Sequence, residues 1–139
     1  MKKLSSMMAL GFLCLMAVAK PTFNAEQFKS YTAQMQTLSQ KYLDANEAEN
    51  AQKVVDKWVK DYYMLSAGQQ TLMKSELASI QFTKSKVYAV QNERSKALKS
   101  MRDAISNGFK DYQSASTAPE LASVRNDEEF VKLLDSIKG

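Results

Sequence analysis

Histidine is absent from this 139-residue chain, and cysteine occurs once, as Cys14. Their scarcity removes the commonest general base, the soft metal ligands, and both Ser-His and Cys-His nucleophilic catalysis. Two prolines and four glycines leave little room for a β-rich fold full of tight turns. No glycine-rich run is present to cradle a phosphate. Nineteen basic residues against fifteen acidic ones make no strong field of one sign, and nothing argues for nucleic acid as a partner. What remains is 45% apolar and 24% charged, ordinary for one globular domain. Ala, Lys, Gln, Glu, Leu and Met are plentiful, and they lose little rotamer freedom in a helix.

The first residues differ in texture from the rest. Lys2 and Lys3 precede a stretch from Leu4 to Ala19 without charge, and Ala17-Val18-Ala19 is a small-x-small sequence. These features predict a secretory signal peptide over 1–19, cleaved after Ala19. An uncleaved anchor is the alternative, but the uncharged stretch is shorter than the roughly 20 residues needed to span a bilayer. Lipid attachment at Cys14 is disfavoured because Phe12 and Leu13 are not small. Cleavage removes the only cysteine together with Lys2 and Lys3, lowering the net charge from +4 to +2. The expectation is an exported protein, periplasmic or secreted, with no membrane span after leader removal. Without disulfides it is held together by packing alone.

Residues 20–26 form a lead-in, with Asn24 as N-cap and Gln27 reaching back in a capping box. Phe28, Tyr31, Met35, Leu38 and Tyr42 then recur at helical spacing. A second helix from near Glu47 carries a stripe from Ala51 through Val54, Val55, Trp58, Val59 and Tyr62 to Leu65, and Ser66-Ala67-Gly68 is expected to end it. A third helix over about 69–90 presents Leu72, Met73, Leu77, Ile80, Val87 and Tyr88. A fourth, from Arg94, presents Ala97, Met101, Ala104 and Ile105, and Asn107-Gly108-Phe109 closes it like a Schellman motif. A short helix is expected over 119–123. The last helix begins with Asn126 as cap and Glu129 at the capping-box position, and buries Phe130, Leu133, Leu134 and Ile137. No convincing strand is found, so the fold class is all-α.

Two segments 46 residues apart repeat each other. Tyr42, Asn46, Glu47, Ala51, Lys53 and Val55 correspond to Tyr88, Asn92, Glu93, Ala97, Lys99 and Met101. Each covers a helix end, an Asn-Glu turn and the start of the next helix, with a small residue where two helices cross. The pattern of Tyr, then Ala nine residues on, then a large apolar residue, with Ser39 and Ser85 three before the Tyr, resembles the tetratricopeptide repeat. Ala104 fits a further small position that Trp58 fills in the other unit. Residues Gly108, Phe109, Asp111, Tyr112, Leu121, Val124, Arg125, Asp127, Phe130 and Leu133 resemble the tail that closes many bacterial arrays of this repeat. The resemblance implies a short α-α solenoid of two units over 27–112, capped by 113–139. The early Trp and Leu-Gly and the closing proline of the family are missing. The period also exceeds the family's roughly 34 residues, which predicts a long inner hairpin of 47–65 with 69–90, flanked by shorter helices. A plain antiparallel bundle is the alternative.

Asp44, Glu47 and Glu49, and then Asp127 to Glu129, gather at turns and helix starts, where acids suit the positive helix end. They are read as structural rather than as a metal or acid–base site. The expectation is therefore no enzyme, no cofactor and no metal. Trp58 is expected in the core, and Tyr63 lies off the apolar stripe. A repeat array works through the face built from the first helix of each unit. By register that face includes Gln36, Gln40 and Leu43, then Ser79, Phe82, Lys86 and Ala89. Phe82 beside Lys86 suits an acidic-apolar peptide or a free carboxyl terminus, unless Phe82 is core. The two main functional expectations are a module binding a protein or peptide, and a structural or self-assembling envelope protein; a weaker third is an enzyme with unfamiliar carboxylate chemistry, which would need a deep pocket holding two carboxylates.

Overall fold

The computed structural model describes residues 23–139. The expected leader, its cleavage site and the start of the lead-in lie outside the described residues. Seven α-helices, paired in hairpin fashion, make up the described residues, and no strand occurs among them. They are α1 (Ala25–Asp44), α2 (Ala48–Tyr63), α3 (Ala67–Leu72), α4 (Lys74–Val90), α5 (Arg94–Ser106), α6 (Tyr112–Thr117) and α7 (Glu128–Asp135), with a 3₁₀ turn at Pro119–Leu121 before α7. Helix α1 pairs with α2, and α4 with α5. Helix α4 also lies against α1, α2 and the 3₁₀ turn.

The termini of these helices follow from local chemistry. Asn24 Oδ1 accepts the Gln27 N–H at 2.9 Å, and Gln27 Oε1 accepts the Asn24 N–H at 3.0 Å. This is the expected capping box. The two repeated turns are built alike. Asn46 and Asn92 both take the left-handed conformation, with φ of 60° and 59°. Asparagine tolerates it at modest cost. The Asn46 and Glu47 N–H groups donate to the Leu43 and Tyr42 carbonyls at 3.0 and 2.8 Å. Those of Asn92 and Glu93 donate to Ala89 and Tyr88 at 3.1 and 2.9 Å. Each turn thus closes its helix in the Schellman manner and delivers the backbone to the next one. Gly108, at φ 104°, closes α5 the same way. Ala51 and Ala97, Val55 and Met101, and Ala104 are all buried, and Tyr42 is buried while Tyr88 is half-buried. Ser39 and Ser85 are fully buried, and the Ser85 hydroxyl donates to the Ala97 carbonyl at 2.8 Å, tying α4 to α5.

Several sequence expectations are corrected. The inner hairpin is not the longest: α1 has 20 residues against 16 for α2 and 17 for α4. Ser66 does not end a helix but starts one, in a capping box with Gln69. Gly68 sits inside α3 and is not left-handed. The helix then breaks at Met73, which is drawn into the core, and Leu72 is turned outward to 69% exposure. Part of the long period is therefore spent on a corner helix rather than on longer α2 and α4. Residues 112–117 are helical, capped by the Asp111 side chain. The 119–123 helix is a 3₁₀ turn ending at Leu121. Asp127 rather than Asn126 caps α7, accepting the Glu129 N–H at 2.9 Å.

Two apolar clusters result. The first joins Phe28, Tyr31, Met35, Trp58, Tyr62 and Ile80 between α1, α2 and α4. It also encloses a charge: Asp61 is 4% exposed and accepts hydrogen bonds from the Tyr31 hydroxyl and, at 2.7 Å, from Lys57 Nζ. Burial, followed by that contact with Asp61, pushes the Tyr31 hydroxyl pKa far above its ordinary value. The second cluster joins Phe82, Ala97, Leu98, Met101 and Ala104 to the tail residues Leu121, Val124 and Phe130.

Candidate functional site

The face expected to carry recognition runs along α1 and α4, which lie side by side. Lys86 Nζ donates to Gln40 Oε1 at 2.8 Å. The two residues lie 46 apart in the sequence, the spacing of the repeated segments.

The seven residues of the expected face divide into three groups. Leu43, Phe82 and Ala89 are buried in the apolar clusters and offer little surface. Phe82 stacks on Phe109, with ring centroids 4.4 Å apart and planes at 25°. Gln40 and Lys86 form a half-buried polar centre. Gln36 and Ser79, exposed and half-buried, remain at the open end.

The polar centre is already filled. Lys86 Nζ lies 5.3 Å from the Phe82 ring centre as well as against Gln40. Burial lowers its pKa, while Glu120 and Asp44 act in the opposite direction. Both carboxylates engage the Gln40 amide rather than the ammonium: Gln40 Nε2 donates to Asp44 Oδ1 at 2.8 Å and to Glu120 Oε2 at 3.3 Å. One cation therefore faces two anions. The Ser123 hydroxyl donates to the Ala89 carbonyl at 2.9 Å, and Leu121 is fully buried beside α4. The protein's own Pro119-Glu120-Leu121 thus supplies the acidic-apolar segment that Phe82 and Lys86 suit. Sequence reasoning read these tail residues as a cap and missed their position on this face. Nothing local to residues 118–124 specifies which surface they cover.

Beyond Phe82 the face stays open as a cavity of about 280 Å³. Gln36, Ser79, Phe82, Phe109, Lys110 and Ser114 contribute to its walls. Asp111, also at this cavity, is committed to Ser114, whose hydroxyl and backbone N–H hydrogen bonds hold its carboxyl below the usual range. A larger cavity of about 640 Å³ lies between the two Asn-Glu turns, walled by Asn46, Glu47, Gln52, Tyr88, Gln91 and Lys96 among others. Gln91 Nε2 bridges the units there by donating to Gln52 Oε1 at 2.8 Å. The repeat itself was the signal for that cavity, since it places both turns at one end of the molecule.

Among the described residues, no three His, Cys, Asp or Glu side chains gather closely enough to hold a metal. No described helix is long and apolar enough to cross a membrane. The sequence matches no protein-family model, no curated protein and no solved structure.

Proposed function

We propose that this protein is an exported, non-enzymatic helical-repeat module of tetratricopeptide-like construction, binding a protein or peptide partner in the bacterial envelope. The observation that carries the reading is the meeting of Gln40 and Lys86, equivalent positions of the two units, at 2.8 Å. A shared face made from the first helix of each unit is the feature by which such repeats recognise extended segments. The tail's occupation of the inner end favours the open end as the binding surface. There Gln36 and Ser79 supply polar groups, the Phe82–Phe109 pair supplies an apolar wall, and Lys110 supplies a cation.

Site-specific photo-crosslinking tests this. A photo-reactive residue is placed at Gln36 or Ser79 in the native envelope, with Lys99 on the exposed side of α5 as the control. The reading expects one discrete adduct at positions 36 and 79 and none at 99. Equal labelling at all three positions contradicts it. An adduct of twice the protein's own mass favours the self-assembling alternative.

A further inference from the structure

Three of the four large apolar side chains that stand exposed among the described residues gather at one corner, where α2 turns into α3. They are Tyr63 at 57%, Met64 at 52% and Leu72 at 69% exposure. Hydrogen bonds fix the corner: Gln70 Nε2 donates to the Leu65 carbonyl at 2.9 Å, and the Tyr62 hydroxyl donates to the Gln70 carbonyl at 2.8 Å. Tyr63 also packs edge-on against Tyr62, with ring centres 5.2 Å apart. Two exposed cations border it: Lys60, one turn before Tyr63 and Met64 on α2, and Lys74, just past Leu72. Neither has an ion-pair partner among the described residues. Glu76, on α4, is the acid whose charge reaches the Tyr62 hydroxyl at this corner. Apolar tips flanked by two lysines suit the interface of an anionic bilayer, where rings and methyls enter the headgroup layer and ammonium groups meet phosphates.

The start of the described residues lies at the same corner. Gln69 Nε2, on α3, donates to the Phe23 carbonyl at 2.8 Å. From Phe23 the sequence needs only four residues to reach Ala19, the end of the uncharged stretch. Four residues reach at most about 14 Å. Until the leader is cleaved, a membrane that holds that stretch is therefore close to Tyr63, Met64 and Leu72.

We infer that this corner is a peripheral docking surface for an anionic lipid bilayer. Both apolar clusters are built from Phe23 onward, so the protein beginning at Lys20 retains the packed fold and isolates the corner from the leader. Co-sedimentation with phosphatidylethanolamine vesicles containing phosphatidylglycerol should bring this protein down at low salt and release it as salt rises. Phosphatidylcholine vesicles should bind it less. The double variant Met64→Ser/Leu72→Ser should lose about tenfold in binding, and Lys60→Ala or Lys74→Ala about fivefold each. All these side chains are exposed, so the melting temperature should stay unchanged and serves as the folding control. No sedimentation on anionic vesicles, or equal binding by the Met64→Ser/Leu72→Ser variant, overturns the inference. So does a lipid-free dimer that this variant abolishes, which would assign the corner to a second copy of the protein.

Discussion

The two hairpins share a joint but not a core. Asn46 and Asn92, with the Tyr42 and Tyr88 carbonyls they turn beneath, have almost the same geometry. What each pair encloses differs. The first is filled mostly by large side chains of α1 and α2, with Leu77, Ile80 and Val87 added from α4: Phe28, Met35 and Trp58 are fully buried, and Tyr31 and Tyr62 nearly so. The position equivalent to Trp58 in the second unit is Ala104. That unit contributes Phe82, Leu98 and Met101 with the small Ala89, Ala97 and Ala104, and Leu121, Val124 and Phe130 arrive from the tail to complete the cluster. A repeated backbone joint therefore does not demand a repeated core. It fixes how two helices meet and leaves the volume between them to whatever side chains the rest of the sequence supplies.

The strongest way to break this comparison is to empty each core in turn. Trp58→Ala should cost about 3–5 kcal/mol in denaturant unfolding, and Phe130→Ala a similar amount. Their hydrogen-exchange patterns should differ. Phe130→Ala should lose protection mainly in α5 and the tail while α1 and α2 stay protected, and Trp58→Ala should do the reverse. Uniform loss in both variants would mean a single undivided core.

The buried Asp61 has no counterpart in the second unit, where Asn107 stands at the equivalent turn. Tyr31→Phe should cost about 1–3 kcal/mol, because the carboxylate loses one of its buried donors. The pH dependence has a definite sign. The Tyr31 pKa is raised in the folded protein, so its stabilising share is complete below the unfolded tyrosine value near 10. It is lost as pH rises beyond that. Thermal melts from pH 8 to 11 should show an alkaline loss of stability in the parent that is smaller in Tyr31→Phe. An identical decline in both would remove Tyr31 from the account.

A smaller effect tests the sameness of the joints. Asn46→Ala and Asn92→Ala should each cost about 1–2 kcal/mol, the cost of a left-handed residue that lacks asparagine's local side-chain hydrogen bonding, and the two losses should agree. The corresponding glycine variants should be milder. Smallest of all, and opposite in sign, is Gln81→Met. Gln81 occupies the position of the fully buried Met35, and its Oε1 is buried without a hydrogen-bond partner among the described residues. Replacing it should stabilise the protein by about 1 kcal/mol. A destabilised variant would mean that the amide is satisfied in solution.

Which features were legible in the sequence follows from the range of the forces involved. The Asn24–Gln27 box, the Asn-Glu turns and the Gly108 cap are set by side chains within a few residues of the backbone groups they satisfy, so the sequence carries them openly. The apolar stripes of α1 and α2 are periodic and equally plain. The break at Met73 was not. Both Leu72 and Met73 fit a helical stripe, and only the competition for space beside α1 and α2 decides which one is buried. The groove was half legible. Register brings Gln40 opposite Lys86, but the arrival of Glu120 and Ser123 on the same face is a contact made 80 and 34 residues away in the sequence.

The claim beneath both the comparison and the proposed function is that the first helices of the two units lie parallel and in register. Cysteines at Gln40 and Lys86, with Cys14 replaced, would measure it directly through a short bismaleimide crosslinker, with a Lys29–Lys86 cysteine pair as the out-of-register control. Rapid, near-complete crosslinking of 40 to 86 with little at 29 to 86 is the predicted result. Equal crosslinking of the two pairs, or none at 40 and 86, would contradict it.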